Sequence, residues 1–400
     1  MTDKGDFSQS SITGHIFRLA APAFLAELVN VLYSLVDRMY IGHISETGTL
    51  ALSAIGVVFP LISFITAFAS LLGTGGGPLC AIERGKKNDQ RAQAIMETAF
   101  ALLIAVGLVL TASLLVFSRP LLLLMGANEQ TIGYASGYFR IYLIGTVFVM
   151  ISLGANPFII TQGRSTVAMG TVLIGAILNT VLDPLFIFTL GLGVKGAAIA
   201  TVISQAASAA WATIALCSRS SSLRIRRLKI HKGITKPILQ LGVTGFMFKV
   251  TNSLTQAVAN VTLQLYSNGM DTLYIGAMSI INSIREISSL ATSSVTSSAQ
   301  TIASYNYGAR CYSKDRATIR IATAANLACT LAVYAVVQIW PRPLISIFTS
   351  DEALIELTAR CMMIFFAVFF MMSFQSVGQT AFIAHNCPKR AVFFSLLRKA

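Results

Sequence analysis

The chain has 400 residues, of which 54% are hydrophobic and only 12% are charged, and its formal net charge is +14. A water-soluble fold of this size could not bury so much apolar surface, so the composition excludes an ordinary soluble protein. Hydrocarbon offers no water to backbone N–H and C=O groups, so only helices or closed barrels cross it, and the alternation of barrel strands is missing from this sequence. The composition therefore predicts an all-α integral membrane protein.

Ten apolar stretches are long enough to cross a bilayer, which takes about 20 residues in a helix. In chain order they run over 17–41, 50–79, 93–118, 134–160, 166–190, 194–217, 238–267, 273–304, 318–340 and 354–384, and an eleventh begins near Ala391. The first stretch lacks a cleavage site and is long enough to span, so we expect an uncleaved first helix.

Basic residues are distributed unevenly between the predicted loops. With the N-terminus placed in the cytoplasm, twenty Lys and Arg residues fall inside, seven of them in 218–236, whereas three, Arg119, Lys195 and Arg342, fall outside. This bias predicts a cytoplasmic N-terminus in a bacterial cytoplasmic membrane. It also explains the positive net charge without nucleic acid, since 218–236 has no aromatic side chain to stack on bases. We therefore expect the lipid bilayer, and no nucleic acid, as a partner.

An internal repeat divides the chain. Identical residues recur 222 or 223 positions later, in the pairs Ile12/Ile234, Leu19/Leu241, Phe24/Phe246, Ala54/Ala277, Gly85/Gly308 and Ala168/Ala391. Such a constant offset predicts a duplication. Because each repeat has an even number of spans, the halves share one orientation about an axis along the membrane normal, which is typical of transporters with a central cleft.

The repeat predicts two pseudo-symmetric six-helix bundles. We expect an N-terminal lobe over 1–217 with spans one to six, a basic cytoplasmic linker over 218–236, and a C-terminal lobe over 237–400 with spans seven to ten and the start of span eleven. The offset places the end of a twelfth span beyond residue 400. The expected C-terminal bundle is therefore truncated in span eleven.

Ionisable residues inside the apolar stretches are few, and by default they face a cavity, a partner or a transport path because hydrocarbon disfavours charge. They are Glu27, Asp37, Arg38, Arg140, Asp183, Lys249, Arg285 and Glu286. Asn179 and Asp183 are four residues apart and so share a helix face, and Pro184 deprives the carbonyl of Thr180 of its donor. These oxygens suit Na⁺ or a proton. The alternative is that Asp183 only hydrogen-bonds to a neighbouring helix at the proline.

The first span carries two acidic residues. Glu27 lies ten residues before Asp37, nearly three turns, and we expect both on roughly the same face. Lys249 occupies the position of Glu27 in the second half, which suggests a salt bridge across the cleft. The alternative for Glu27 is a hydrogen bond to a Ser, Thr or Asn side chain in the core.

Two glycine-rich segments resemble nucleotide-binding motifs, but each lacks residues that the motif requires. Residues 191–196 match G-x-G-x-x-G, but no acidic residue lies between Asp183 and Asp271 to hold a ribose. Residues 73–77, GTGGG, lack the Lys and Ser or Thr of a phosphate loop. The four His residues are isolated, and the six Cys residues form no CxxC pair. We expect no enzyme activity and no cofactor.

Several segments resemble the multidrug and toxic compound extrusion (MATE) family, in its bacterial group of DNA-damage-inducible and Mep-type exporters. They are VDRMYIGHI (36–44), LGTGGGPLCAIERGKKND (72–89), ILNTVLDPLFIF (177–188), GVKGAAIATVISQ (193–205), SYNYGAR (304–310) and SLLRKA (395–400). The resemblance covers essentially the whole chain. It implies a monomeric antiporter of the MATE/MOP-type fold, in which inward flow of Na⁺ or H⁺ drives export of small amphipathic or cationic compounds by alternating access.

The resemblance also implies site residues. The cation site, for Na⁺ or a proton, would fall on Asp37, Asn179, Asp183 and Thr201. Separately from the resemblance, we expect a substrate path along polar and ionisable residues of both halves, namely Glu27, Lys249, Asn252, Gln256, Arg285 and Gln300. Some branches of the family use a Glu in the seventh span, which has Lys249 and neutral polar residues here, so an acidic site in the C-terminal lobe is not expected.

Two other functions remain open. A flippase for lipid-linked sugars would share the architecture and need a strongly cationic cavity, for which Arg38, Arg140, Lys249 and Arg285 are the candidates. Alternatively, a chain that stops within span eleven is a non-functional fragment of poor stability.

Overall fold

The computed structural model describes residues 6–7, 11–44, 48–219, 221–266, 271–348 and 351–397. Regular structure in these ranges is helical, which confirms the all-α prediction. The helices, in chain order, are α1 (Ile12–Gly42), α2 (Gly48–Gly85), α3 (Asp89–Leu124), α4 (Ile132–Ile144), α5 (Thr146–Ile160), α6 (Ser165–Pro184), the π-helical turn Leu185–Thr189, α7 (Gly193–Cys217), α8 (Lys232–Tyr266), α9 (Asp271–Gly308), α10 (Tyr312–Ile339), α11 (Pro341–Ser346), α12 (Glu352–Phe366), α13 (Met371–Ala384) and α14 (Pro388–Leu397).

Eight of the ten predicted spans are long and apolar enough to cross a membrane within the described ranges, six as single helices and two as bent pairs. The other two, α8 and α9, have 35 and 38 residues but are more polar. The hydroxyls of α9 donate back to carbonyls one turn earlier, as from Ser294 to Leu290 (2.7 Å) and from Ser298 to Ser294 (2.8 Å). Because these hydroxyls are satisfied within the helix, α9 tolerates an interior position.

The predicted spans over 134–160 and 354–384 are each broken by a bend. The axes of α4 and α5 differ by 57° and those of α12 and α13 by 47°. The first break is at Gly145, where an added Cβ would lie 2.7 Å from Val202 Cγ2 of α7. The close approach of α7 therefore explains why the bend is at a glycine.

Backbone geometry agrees with the repeat. Lys87 and Arg310, 223 positions apart, both have left-handed backbones, with φ of 60° and 58°. Gly163 and Asn386, also 223 apart, have φ of 73° and 54°. Such φ values are uncommon outside glycine, so their recurrence at equivalent turns indicates that both halves share one fold. The predicted pseudo-symmetric architecture is confirmed.

The two halves meet along α2, which packs against α8 and α9, and along α1, which packs against α9. The crossing of α2 with α8 is very close. A Cβ on Gly242 would lie 1.7 Å from the carbonyl oxygen of Leu71, and one on Gly75 would lie 2.1 Å from that of Ile238. Glycine at both positions lets the backbones touch, as in small-residue interfaces of membrane helices.

The loops that were predicted to be cytoplasmic lie together at one end of the helices, as far as the structure describes them. We call this end the basic end. Arg164, after α5, donates to Ser221 in the segment after α7, at 2.6 Å. Tyr305, near the end of α9, hydrogen-bonds to Asp6 at the start of the chain, at 3.1 Å. The turns after α2, α9 and α13 surround one cavity together with the start of α8. The predicted grouping of basic loops is therefore present in the fold.

Candidate functional site

A pair of acidic residues lies inside the first half, where α6 packs against α1 and α7. Asp183 of α6 is fully buried, and Asn179, one turn earlier, is 3% exposed. Asn179 Nδ2 donates to Asp183 Oδ1 at 3.2 Å, so the two side chains share a helix face as their spacing predicts. The backbone turns π-helical directly after Pro184, since proline cannot donate to the helix ladder.

Asp37 of α1 completes the pair, because its carboxyl group lies within hydrogen-bonding reach of that of Asp183. Asp183 Oδ2 receives no hydrogen bond from the described residues. Two ionised carboxyl groups at this range repel each other, and either a shared proton or a bound cation removes the repulsion. Tyr33, one turn before Asp37, lies close enough to interact electrostatically with both carboxyl groups. The arrangement is suited to a monovalent cation.

Thr201 of α7 lies next to this pair of acidic residues. Its Oγ1 lies 3.5 Å from Asn179 Nδ2 and donates to the carbonyl of Ala197 at 2.9 Å. Carboxylate, amide and hydroxyl oxygens are the ligands that hard cations prefer. The structure thus places all four residues of the predicted cation site together: Asp37, Asn179, Asp183 and Thr201. In the described ranges no three His, Cys, Asp or Glu side chains cluster as a multidentate metal site would require.

A small polar cavity of about 40 Å³ adjoins this group of residues. Asn179 and Thr201 line it, as do the neutral polar residues Asn30, Tyr33, Ser152, Asn156, Thr171, Ser204, Gln205 and Ser208. Among them, Asn156 Oδ1, Thr171 Oγ1 and Ser204 Oγ have no hydrogen-bond partner in the described structure. A polar cavity of this size has room for one or two water molecules. Neutral polar side chains within apolar spans have no distinctive sequence pattern, so the other residues of this cavity could not be predicted.

Glu27 and Lys249 have separate partners in the described structure, so the suggested salt bridge between them is not formed. Glu27 accepts a hydrogen bond from Ser293 Oγ of α9. Lys249 Nζ donates to the carbonyl of Thr66 of α2 at 3.5 Å. Glu27 thus makes the alternative contact, a hydrogen bond to a hydroxyl, and both residues connect the two lobes.

The expectation that Glu27 and Asp37 share a face is wrong. Glu27 contacts α9, whereas Asp37 contacts α6. Ten residues make about 2.8 helical turns, which leaves the two side chains about 80° apart. That angle is enough to direct them to helices on different sides of α1.

The other residues of the predicted substrate path lie apart from the cation site. Asn252 is on α8, and Arg285 and Gln300 are on α9, all half-buried. Because Arg285 and Gln300 are separated by fifteen residues, they lie about 22 Å apart along the helix. The side chains of Gln256 and Arg38 lie outside the described residues. These residues do not form one constellation.

Comparison of the sequence with known protein families identifies the family of this chain. The sequence profile of the MatE family matches residues 22–185 and 250–398. The chain belongs to the MatE family. Its members are transporters and not enzymes, which confirms the expectation from the sequence. In this MatE chain the two matched stretches fall in the two halves, and the first contains Asp37, Asn179 and Asp183. Thr201 lies outside both.

Individual relatives agree with this assignment. The multidrug export protein MepA of Staphylococcus haemolyticus is 26% identical over 264 residues, which are 66% of this chain and 58% of that protein. MepA of Staphylococcus aureus (strain N315) is 24% identical over 356 residues, 88% of this chain and 77% of that protein. The chain thus spans only part of the length of these relatives.

A solved structure shows the same fold. It is the outward-facing conformation of a multidrug resistance MATE family transporter of the MOP superfamily, with a TM-score of 0.91 and 22% identity. The superposition covers 100% of this chain and 88% of that one. The chain therefore has the MATE/MOP-type architecture in membrane-spanning helices.

Proposed function

We propose that this MatE chain is a secondary antiporter that exports small amphipathic or cationic compounds, driven by inward flow of Na⁺ or H⁺. The relatives named multidrug export proteins support the substrate class. The observation that carries the coupling is the pair Asp37 and Asp183, which joins α1 to α6 through carboxyl groups that need a cation or a proton between them. We also propose a monomer in a bacterial cytoplasmic membrane, with the basic end in the cytoplasm.

Coupling requires that cation binding moves a helix that also contacts the other lobe. Helix α1 meets this requirement. With both carboxyl groups ionised, repulsion pushes α1 away from α6, and a bound cation or proton allows them to approach. The same helix contacts α9 through Glu27 and Ser293. Neutralisation of the pair is therefore transmitted to the interface between the lobes.

A proline gives α1 a place to bend. Pro22 lies within α1 and cannot donate to the carbonyl of Arg18, four residues earlier. Ser165 Oγ, at the start of α6, donates to that carbonyl at 3.1 Å. The helix that carries Asp183 thus also satisfies the hydrogen bond that Pro22 leaves open. Bending of α1 at Pro22 is the proposed response to cation exchange.

Alternating access needs one end of the cleft to close while the other opens. In this structure the glycine crossing of α2 with α8 brings the lobes together. We propose that α2 separates from α8 and α9 when the transporter changes to the state in which the cleft is open at the basic end. Substrate then enters from the basic end and leaves from the other.

Dye efflux tests this function. Vesicles containing the full chain are given an imposed Na⁺ gradient, an imposed pH gradient or neither, and ethidium transport is followed. We expect transport with one of the two gradients, and its loss in Asp183→Asn. Asp89→Asn is the matched control, because Asp89 is an exposed carboxylate at the start of α3. Unchanged transport in Asp183→Asn would remove the coupling site, and sugar-lipid translocation without dye transport would favour the flippase.

A further inference from the structure

A cavity of about 650 Å³ lies at the basic end, away from the acidic pair. Both lobes build its walls. Glu83, Lys86 and Arg91 line it from the first half, and Arg310 and His385 line it from the second. A ligand in this cavity would therefore touch both lobes at once.

The cavity has more cations than its own carboxylate neutralises. Glu83 Oε1 lies 2.9 Å from Lys86 Nζ and 4.0 Å from Arg91 Nε, so one buried carboxylate serves two cations. Arg310 adds a third cation from the other lobe. The lining thus has a net positive charge with contributions from both halves. Guanidinium groups are the side chains that best match the oxygens of a phosphate.

The second half adds an ordered imidazole. His385 Nε2 lies 2.7 Å from Asp315 Oδ2, and its ring centroid is 4.9 Å from that of Tyr307, which also lines the cavity. The carboxylate and the aromatic ring hold the imidazole in place. Asp315 itself is not among the residues lining the cavity, so this pair adds a hydrogen-bonding imidazole to the lining without adding a carboxylate.

Arg310 has a backbone conformation that glycine adopts at lower energy than other residues. It follows α9 with a left-handed backbone (φ 58°), as Lys87 follows α2 (φ 60°). The residue after a helix in this conformation is usually glycine, because a Cβ is unfavourable there. Both repeats instead have a cation at this position, and that of the second half lines the cavity.

The cavity is not uniformly polar. Leu79, Ile82, Ile95, Ile234 and Pro237 line it beside the charged groups. Apolar walls next to a basic rim suit an amphiphile with an anionic head, and basic pockets between membrane helices at a cytoplasmic face are typical sites for anionic lipid headgroups.

We propose that this cavity binds a phosphate-bearing group, the headgroup of an anionic lipid or a soluble phosphate, and that the bound group holds the two lobes together at the basic end. A ligand that contacts both walls stabilises the arrangement in which the walls adjoin, in proportion to its preference for that state. The proposal is independent of the transported substrate and of the coupling cation.

Thermal unfolding of the purified full chain in lipid nanodiscs tests the site. One arm compares phosphatidylglycerol with phosphatidylcholine of the same chain length, and the other adds inorganic phosphate to phosphatidylcholine nanodiscs. Arg310→Asn removes the cation while keeping a residue that tolerates the left-handed backbone. Arg224→Asn is the matched control, because Arg224 is exposed at the same end but does not line the cavity. Arg310→Lys restores the charge.

We expect the ligand to raise the melting temperature of the wild type and of Arg224→Asn, and to bind about tenfold more weakly to Arg310→Asn, the usual effect of losing one charge-assisted hydrogen bond. Arg310→Lys should recover part of the affinity. A shift with phosphatidylglycerol alone identifies a lipid headgroup, and one with inorganic phosphate identifies a soluble ligand. Absence of both shifts, or equal weakening in Arg310→Asn and Arg224→Asn, would overturn the proposal.

Discussion

Gly85 and Gly308 make reciprocal contacts between the two lobes at the basic end. A Cβ on Gly85 would lie 2.0 Å from the carbonyl oxygen of Tyr305, and a Cβ on Gly308 would lie 2.0 Å from that of Ile82. Both the glycines and the two carbonyl residues are 223 positions apart. The crossing of α2 with α9 therefore lies on the pseudo-twofold axis that relates the halves.

The crossing of α2 with α9 leaves no room for a side chain at Gly85. Gly85→Ala places a methyl group against backbone that cannot give way, so α2 and α9 must separate. We expect a loss of about 1–3 kcal/mol in the free energy of unfolding, the usual cost of overpacking, seen as a lower melting temperature.

Gly56→Ala is the control for that experiment, because it lies on the same helix with nothing within 4 Å of the added Cβ. Alanine favours helix over glycine, so this variant should be equally or slightly more stable than the wild type. Equal melting temperatures for Gly85→Ala and Gly56→Ala would show that the helices do not meet as closely as described.

A second prediction concerns the hydrogen bond at Pro22. Ser165→Ala removes the hydroxyl that donates to the carbonyl of Arg18, which Pro22 has already deprived of its helical donor. Loss of this partly buried hydrogen bond costs about 0.5–1.5 kcal/mol, so the melting temperature should fall.

Ser113→Ala provides the comparison for Ser165→Ala. Ser113 is exposed on α3 and donates to carbonyls of its own helix, which already have helical donors. Its loss should leave the melting temperature nearly unchanged. If Ser165→Ala and Ser113→Ala have the same melting temperature, the hydrogen bond of Ser165 does not stabilise α1 at Pro22.

The third prediction separates the charge of Glu27 from its hydrogen bond. Glu27→Gln keeps an oxygen that can accept from Ser293, whereas Glu27→Ala leaves none. Retained dye efflux in Glu27→Gln, with reduced efflux and stability in Glu27→Ala, is the outcome expected of an inter-lobe hydrogen bond. Loss of efflux in both variants, with full stability in Glu27→Gln, would assign a role to the charge instead.

Much of the cation site could be predicted from the sequence because its signals are local. Asn179 and Asp183 are one turn apart next to a proline, and an acidic residue within an apolar span is conspicuous. Thr201 came only from the family resemblance, since a threonine in a helix has no distinctive pattern. Distances within one helix are fixed by its geometry, which is why the pairing on α6 was predicted correctly.

Features that depend on packing between helices could not be predicted. The bend at Gly145 depends on the approach of Val202 from another helix. The partners of Glu27 and Lys249 depend on how α1 and α8 are rotated against their neighbours, which repeat symmetry does not determine. The cavity at the basic end is formed by turns that are hundreds of residues apart, and no local pattern marks it.

The central claim is that Asp37 and Asp183 hold the coupling cation between α1 and α6. Its most direct test is the melting temperature of the purified full chain at constant ionic strength, first with K⁺ replaced by Na⁺ and then in K⁺ with stepwise acidification. A cation that binds only the folded site raises the melting temperature. We expect Na⁺ or acidification to stabilise the wild type and Asp89→Asn but not Asp183→Asn. A response of Asp183→Asn equal to that of the wild type would contradict it.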